Sequence, residues 1–176
     1  MSANAPHTSL DIALLGGYPP PYGGVSVHIE RLHGFLWASG LPCRVWDSYR
    51  KTNRPDVGIR PLGKPMLLSY LWRIMTGGSK VVHIHTSRNL IRVLAAAACK
   101  LSGKKLVITV HGASLANGFG QGSKGLSRSL IRWAMRRASH VFAVNDDIRQ
   151  LCLDIGVAGD HVTMLPAFIP LPAEQV

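Results

Sequence analysis

The sequence predicts an α/β fold, a Rossmann-like and mostly parallel sheet with helices on both faces. Two observations carry the prediction. Short apolar runs alternate with stretches of helical periodicity along nearly the whole chain, and the first apolar run ends in Gly16-Gly17, as a buried parallel strand feeding a turn does. With 176 residues, 47% hydrophobic and only 16% charged, the chain suits one domain that buries a core without disulfides or structural metal.

The elements follow in order. Residues 10–15 form the first strand, and after the loop from Tyr18 to Gly24 the positions Val25, Ile29, Leu32, Phe35 and Leu36 recur at helical spacing until Gly40 caps the helix. Strands are expected at 43–46, 80–85, 105–110, 140–144 and 161–165. Helices are expected at 65–76, 90–101, 124–138 and 146–155, and Asp146-Asp147 read as the cap and dipole partner of the last. Residues 1–9 read as a disordered lead-in without a signal-peptide pattern, 10–165 as the domain, and 166–176 as a proline-rich linker carrying Pro166, Pro170 and Pro172.

Twenty Lys and Arg against nine Asp and Glu leave a formal charge of +11, which attracts nucleic acid, anionic lipid headgroups or a phosphorylated substrate. No helix-turn-helix, zinc-finger or RNP signature accompanies the charge, so nucleic acid is not an expected partner. Cys43, Cys99 and Cys152 are widely spaced and form no C-x-x-C pair, which suggests neither a disulfide framework nor a zinc site and suits a reducing cytosol. The apolar runs fall short of the roughly 20 residues of a membrane span. The expected location is cytoplasmic, with peripheral contact at the inner face of the membrane.

Two long glycine-rich loops, 19–24 and 111–125, follow strand C-terminal ends, the edge at which open α/β sheets bind ligands. Gly23-Gly24 opens a helix, where backbone N–H groups can approach an anion; the alternative is a tight turn that needs positive φ. His111 closes a strong strand and can donate to a phosphate or a sugar hydroxyl. His83 and His85 are expected on opposite faces of their strand, one in the core and His85 nearer the cleft. Lys124, Arg128, Arg132 and Arg136 make a basic stripe on one helix, with Leu126, Leu130, Trp133 and Ala134 on another arc. That stripe is either a solvated face or a membrane-facing one. The helix at 65–75, with Tyr70, Trp72 and Arg73, is apolar nearly all round and is expected to pack on the sheet with one apolar edge left for a lipid-like substrate. No general acid–base pair, nucleophile elbow or metal motif is found.

The stretch Tyr18-Pro-Pro-Pro-Tyr-Gly-Gly-Val-Ser-Val-His-Ile-Glu-Arg-Leu32 resembles the opening of the family 4 retaining glycosyltransferases of GT-B fold. Val81-Val-His-Ile-His-Thr86, Val107-Ile-Thr-Val-His-Gly112 and Ala138-Ser-His-Val-Phe-Ala-Val144 resemble that family's later N-domain strands, in order. The resemblance implies an acceptor-binding domain that faces a C-terminal, donor-binding domain absent from this chain, with transfer in the cleft between them. It implies that Gly23 and Gly24 approach the donor diphosphate, that His111 is the catalytic-site histidine beside the transferred sugar, and that Tyr22, His85, Gly112 and Ser114 shape the acceptor cleft. The implied partners are a nucleotide-sugar donor and a glycan or lipid-linked acceptor, with no metal and no other cofactor. The alternative is a non-catalytic module that binds a glycan or an anionic membrane.

Overall fold

A computed structural model describes residues 12–41, 43–112, 115 and 125–165. The expected lead-in and linker lie outside these residues. In chain order the described elements are β1 (Ile12–Gly16), α1 (Gly24–Ala38), β2 (Cys43–Asp47), β3 (Ile59–Pro61), α2 (Met66–Thr76), β4 (Val81–His85), α3 (Asn89–Ser102), β5 (Lys105–Val110), α4 (Gly125–Arg137), β6 (His140–Ala143), α5 (Asp146–Asp154) and β7 (Val162–Met164). The seven strands form one sheet in the order β3-β2-β1-β4-β5-β6-β7, and every pair is parallel.

The strands alternate strictly, so each face has its own core. Leu14, Cys43, Val45 and Ile59 pack with Ile29 and Leu32 of α1. On the other face Leu15, Val82, Ile84, Leu106, Ile108 and Val141 pack with Tyr70 and Ile74 of α2, Ala95 and Cys99 of α3, Ile131 and Met135 of α4, and Ile148 and Cys152 of α5. Helices therefore cover both faces, as the alternating pattern predicts. Cys43, Cys99 and Cys152 are buried free thiols.

Gly40 and Gly103 end α1 and α3 with φ of 72° and 68°, the left-handed geometry that a side chain resists. The cap of α5 is Asn145, whose Oδ1 accepts from the Ile148 N–H at 2.9 Å. Asp146 and Asp147 instead occupy the first turn, where their charge meets the helix dipole. Strand β3 was not expected. It is three residues long, contains Pro61 and lies at the sheet edge, the one place where a missing N–H breaks no ladder.

Helix α2 packs on the sheet and leaves an apolar edge uncovered, as expected, whereas α4 departs from its expected face. In α2 only Tyr70 and Ile74 are buried, while Leu68, Trp72 and Met75 are 63%, 64% and 48% exposed. In α4 the core face is Ile131, Ala134 and Met135, and Leu126 and Leu130, read as part of the apolar arc, are exposed. Helix α3 packs against both α2 and α4, so these uncovered apolar side chains belong to one helical layer.

Candidate functional site

The chain runs from β1 outward to β2 and β3, then returns through α2 to β4 on the other side of β1. That reversal is the switch point at which neighbouring crossovers diverge and leave a crevice at the strand C-terminal ends. Gly16 and Gly17 line it, with neighbouring side chains close over both. A Cβ on Gly16 would come within 2.4 Å of Ile29 Cδ1 and 3.1 Å of His85 Cβ, and one on Gly17 would meet the Tyr49 ring at 2.3 Å.

The loops round the crevice are tied by Asp47 at the end of β2, which is wholly buried. Its Oδ1 accepts from the N–H groups of Tyr18 and Tyr49 at 2.9 and 2.8 Å, and its Oδ2 from those of Lys51 and Thr52 at 2.9 and 3.1 Å. Thr52 donates in turn to the Pro19 carbonyl at 2.6 Å. One carboxylate thus joins the proline loop after β1 to the turn after β2.

Between these loops lies a cleft of about 320 Å³ lined by Gly16, Gly17, Tyr49, Tyr70, His85, Arg88 and their neighbours. Tyr70 and His85 are each 3% exposed. Among the described residues neither Tyr70 Oη nor His85 Nε2 has a hydrogen-bond partner, although burying a polar atom unpaired costs about 1–3 kcal/mol. Arg92, also fully buried, braces the floor: Nη2 donates to the Thr86 carbonyl at 2.7 Å and Nη1 to Asn89 Oδ1. Burial lowers its guanidinium to about 10, which leaves it charged at neutral pH.

Four histidines converge beside this cleft. His83 and His85 lie on the same face of β4, not on opposite faces, because residues two apart in a strand point the same way; their ring centroids are 4.3 Å apart. The pairing of His83 with Leu14 places them on the α1 side of the sheet. His83 Nε2 bonds Thr109 Oγ1 at 2.7 Å, and His85 Nδ1 shares a hydrogen bond of 3.3 Å with His111 Nε2. From α1, the buried His28 brings its ring to 5.4 Å from that of His85 and 5.0 Å from that of His111. Burial, followed by the neighbouring histidines, lowers His83 to about 3 and His85 well below its ordinary value. Burial, then His28 and Arg92, lowers His111 to about 4. At neutral pH all three rings are uncharged.

The expected site residues fall into groups. His111 and His85 are brought together, and Gly112, with φ of 67°, turns the chain just past them. Gly23 and Gly24 stand at the N-terminus of α1, one turn from His28. Gly23 has an extended φ of −165°, Gly24 is not among the positive-φ glycines, and a Cβ on Gly23 would meet only Ser26 Oγ, at 3.9 Å, while one on Gly24 would meet nothing within 4 Å. The tight-turn reading of this pair is therefore wrong. Ser26 shapes the approach, accepting from the Gly23 N–H at 2.9 Å and donating to the Pro21 carbonyl at 2.8 Å. Tyr22 is 75% exposed and does not line the cleft. Arg128, Arg132 and Arg136 lie on α4, away from the crevice, and Arg132 and Arg136 share a shallow hollow of about 400 Å³ with Trp133 and Arg137. Ser114 and Lys124 lie outside the described residues.

Sequence reasoning missed His28, Asp47, Tyr70 and Arg88 as site residues. A buried carboxylate at a strand end before Ser48-Tyr49 carries a signal, since Asp accepts from turn N–H groups there. Tyr70 and Arg88 carry none, because their place depends on how α2 and α3 return to the sheet.

Several comparisons bear on this arrangement. The model of Glycosyltransferase Family 4 matches residues 22–171, whereas no curated protein sequence matches the chain. Among solved structures, HepE of Anabaena in complex with UDP-glucose superposes with a TM-score of 0.62 at 13% identity, over 90% of this chain and 44% of HepE. Its complex with UDP and glucose gives 0.61 at 14% identity over the same shares. The chain thus spans less than half the length of HepE, and its sheet has the fold of one half of a GT-B glycosyltransferase. With a family match that runs from Tyr22 through the last described strand, the chain belongs to glycosyltransferase family 4.

Proposed function

We propose that this domain is the acceptor-side, N-terminal half of a retaining nucleotide-sugar glycosyltransferase, one that needs a second domain to hold the donor. The observation that carries the reading is the cleft at the β1–β4 switch point, in which two buried polar atoms, Tyr70 Oη and His85 Nε2, have no described partner. A hydroxyl-rich acceptor, a glycan or the sugar of a lipid-linked glycan, supplies donors and acceptors of the kind both atoms lack. The open N-terminus of α1 beside it suits a donor diphosphate: Gly23 and Gly24 present no side chain, and the N–H groups of a first helical turn favour an anion.

His111 would then contribute as a neutral ring. Its lowered pKa makes it a hydrogen-bonding partner for a sugar hydroxyl and a poor cation at neutral pH. Its bond to His85 fixes the orientation of the imidazole. The product would enter polysaccharide or glycolipid synthesis.

Contact with the cytoplasmic face of a membrane is a second part of the reading, supported by Leu68, Trp72 and Met75 on α2 and the arginines of α4. Exposed apolar residues and cations on the two helices that flank α3 suit an anionic bilayer. No helix of the described residues is long and apolar enough to cross one.

The test of the acceptor site is a titration of the isotope-labelled chain with lipid-linked glycans extracted from membranes, followed by amide NMR. Shifts centred on Gly17, Tyr49, His85 and Arg88 are expected. Shifts confined to α4, or none, would reject the acceptor role.

A further inference from the structure

We propose that His28, His85 and His111 form a binding site for one divalent transition-metal ion of the zinc class. One nitrogen from each ring lies within 4.8 Å of the other two. The point central to three such atoms is within about 2.8 Å of each, and a zinc–imidazole bond is about 2.0–2.1 Å, so small side-chain rotations close the set. The rings come from three elements, α1, β4 and the end of β5, so the site exists only in the folded chain.

The chemistry of the set selects the ion. Three nitrogen donors with no carboxylate oxygen among them suit zinc, nickel or copper and not magnesium or calcium. Each neutral ring has one lone pair to give and keeps its single proton on the other nitrogen, so binding changes tautomers and releases no proton. His28 is wholly buried and His85 nearly so, whereas His111 is only partly buried and gives the ion its entry.

Packing alone does not account for the cluster. His85 Nε2 is buried without a described hydrogen-bond partner, and an apolar ring of that size would fill the same space without the cost of desolvation. The ion is assigned no step in sugar transfer. Because it would occupy the His111 ring, bound metal and a sugar hydroxyl would compete for that imidazole.

The experiment uses the tag-free chain, stripped with EDTA and dialysed, titrated with zinc chloride by calorimetry and with cobalt chloride by visible absorption. One ion per chain is expected, with the intense cobalt bands of a low-coordinate nitrogen site. His111→Ala and His28→Gln should each weaken binding by about 100-fold or more, while His161→Ala, on an exposed turn, should leave it unchanged. Folding of each variant is read by circular dichroism; if His28→Gln does not fold, His111→Ala decides alone. No saturable binding, or binding that survives His111→Ala, or equal loss in His161→Ala, overturns the proposal. The measurement uses neither donor nor acceptor, so its failure leaves the glycosyl-transfer reading intact.

Discussion

At the β1–β4 crevice, polar side chains are buried: Asp47, His28, His83, His85 and Arg92 are each at most 6% exposed. On the outer surface of α2 and α4 the reverse holds, and Leu68, Trp72, Leu126 and Leu130 are left in solvent. Both arrangements work against stability or solubility, since buried polar groups lose hydration and exposed apolar patches favour association. Such departures mark the places where a surface is shaped for something other than the fold. The crevice departs by enclosing polar groups, which suits a small hydroxylated ligand. The helical layer departs by exposing apolar ones, which suits a broad apolar surface.

The sharpest way to break this contrast is Asp47→Ala. Four backbone N–H groups lose their acceptor, and a cost of about 3 kcal/mol is expected, read as a lower urea midpoint at unchanged slope. A cost under about 0.5 kcal/mol would show that the carboxylate does not hold the crevice. Asp47→Asn keeps one acceptor oxygen and should lose less.

Acid comes next. The folded pKa of His83 lies near 3, below the unfolded value of about 6.5, so the unfolded chain takes up protons that the folded chain refuses. The stability contributed is present above about pH 6.5 and is lost as pH falls toward the folded values, by about 2 kcal/mol for one such ring between pH 7 and 5. His85 and His111 shift in the same direction. Urea midpoints at the two pH values test this, and a flat profile would mean that the cluster is not buried neutral.

A smaller effect separates stability from function within the crevice. His85→Leu removes a buried nitrogen without a described partner but also the bond to His111, so the two effects offset and stability should change by no more than about 1 kcal/mol. The same variant should lose acceptor-induced NMR shifts. Loss of stability together with retained binding would assign His85 to the core.

The smallest change in stability belongs to the helical layer. Trp72→Ser with Leu68→Ser should move the urea midpoint by no more than about 0.5 kcal/mol, because neither side chain is buried. Sedimentation with anionic vesicles should fall, and the binding that remains should fade with salt. Undiminished sedimentation would remove α2 from the membrane reading.

Much of the fold was legible because burial writes it into the chain. Leu106, Ile108 and Val110 alternate with Val107 and Thr109 in β5, and Gly40 ends a helix where a left-handed residue is needed. β3 was not legible, since Ile59-Arg60-Pro61 is too short to show a period and Pro61 argues against a strand that is not at an edge. In the site, His111 and His85 could be placed because both close strands. The error over His83 came from assigning opposite faces to residues two apart, and the register with Leu14 corrects it. His28 and Tyr70 depend on how α1 and α2 cross the sheet, which periodicity records only as a buried face. The face of α4 misled for a related reason: apolar residues usually mark the core, and Leu126 and Leu130 do not.

The acceptor-side claim is tested most directly by a transfer assay with a panel of labelled nucleotide-sugars and membrane extract as acceptor. It compares the chain alone with the chain expressed together with the sequence encoded downstream of it. Label is predicted to enter the extract only when a donor-binding domain is supplied, and to be lost in His111→Ala. Transfer at full rate by the chain alone, or none from either preparation, would contradict the account.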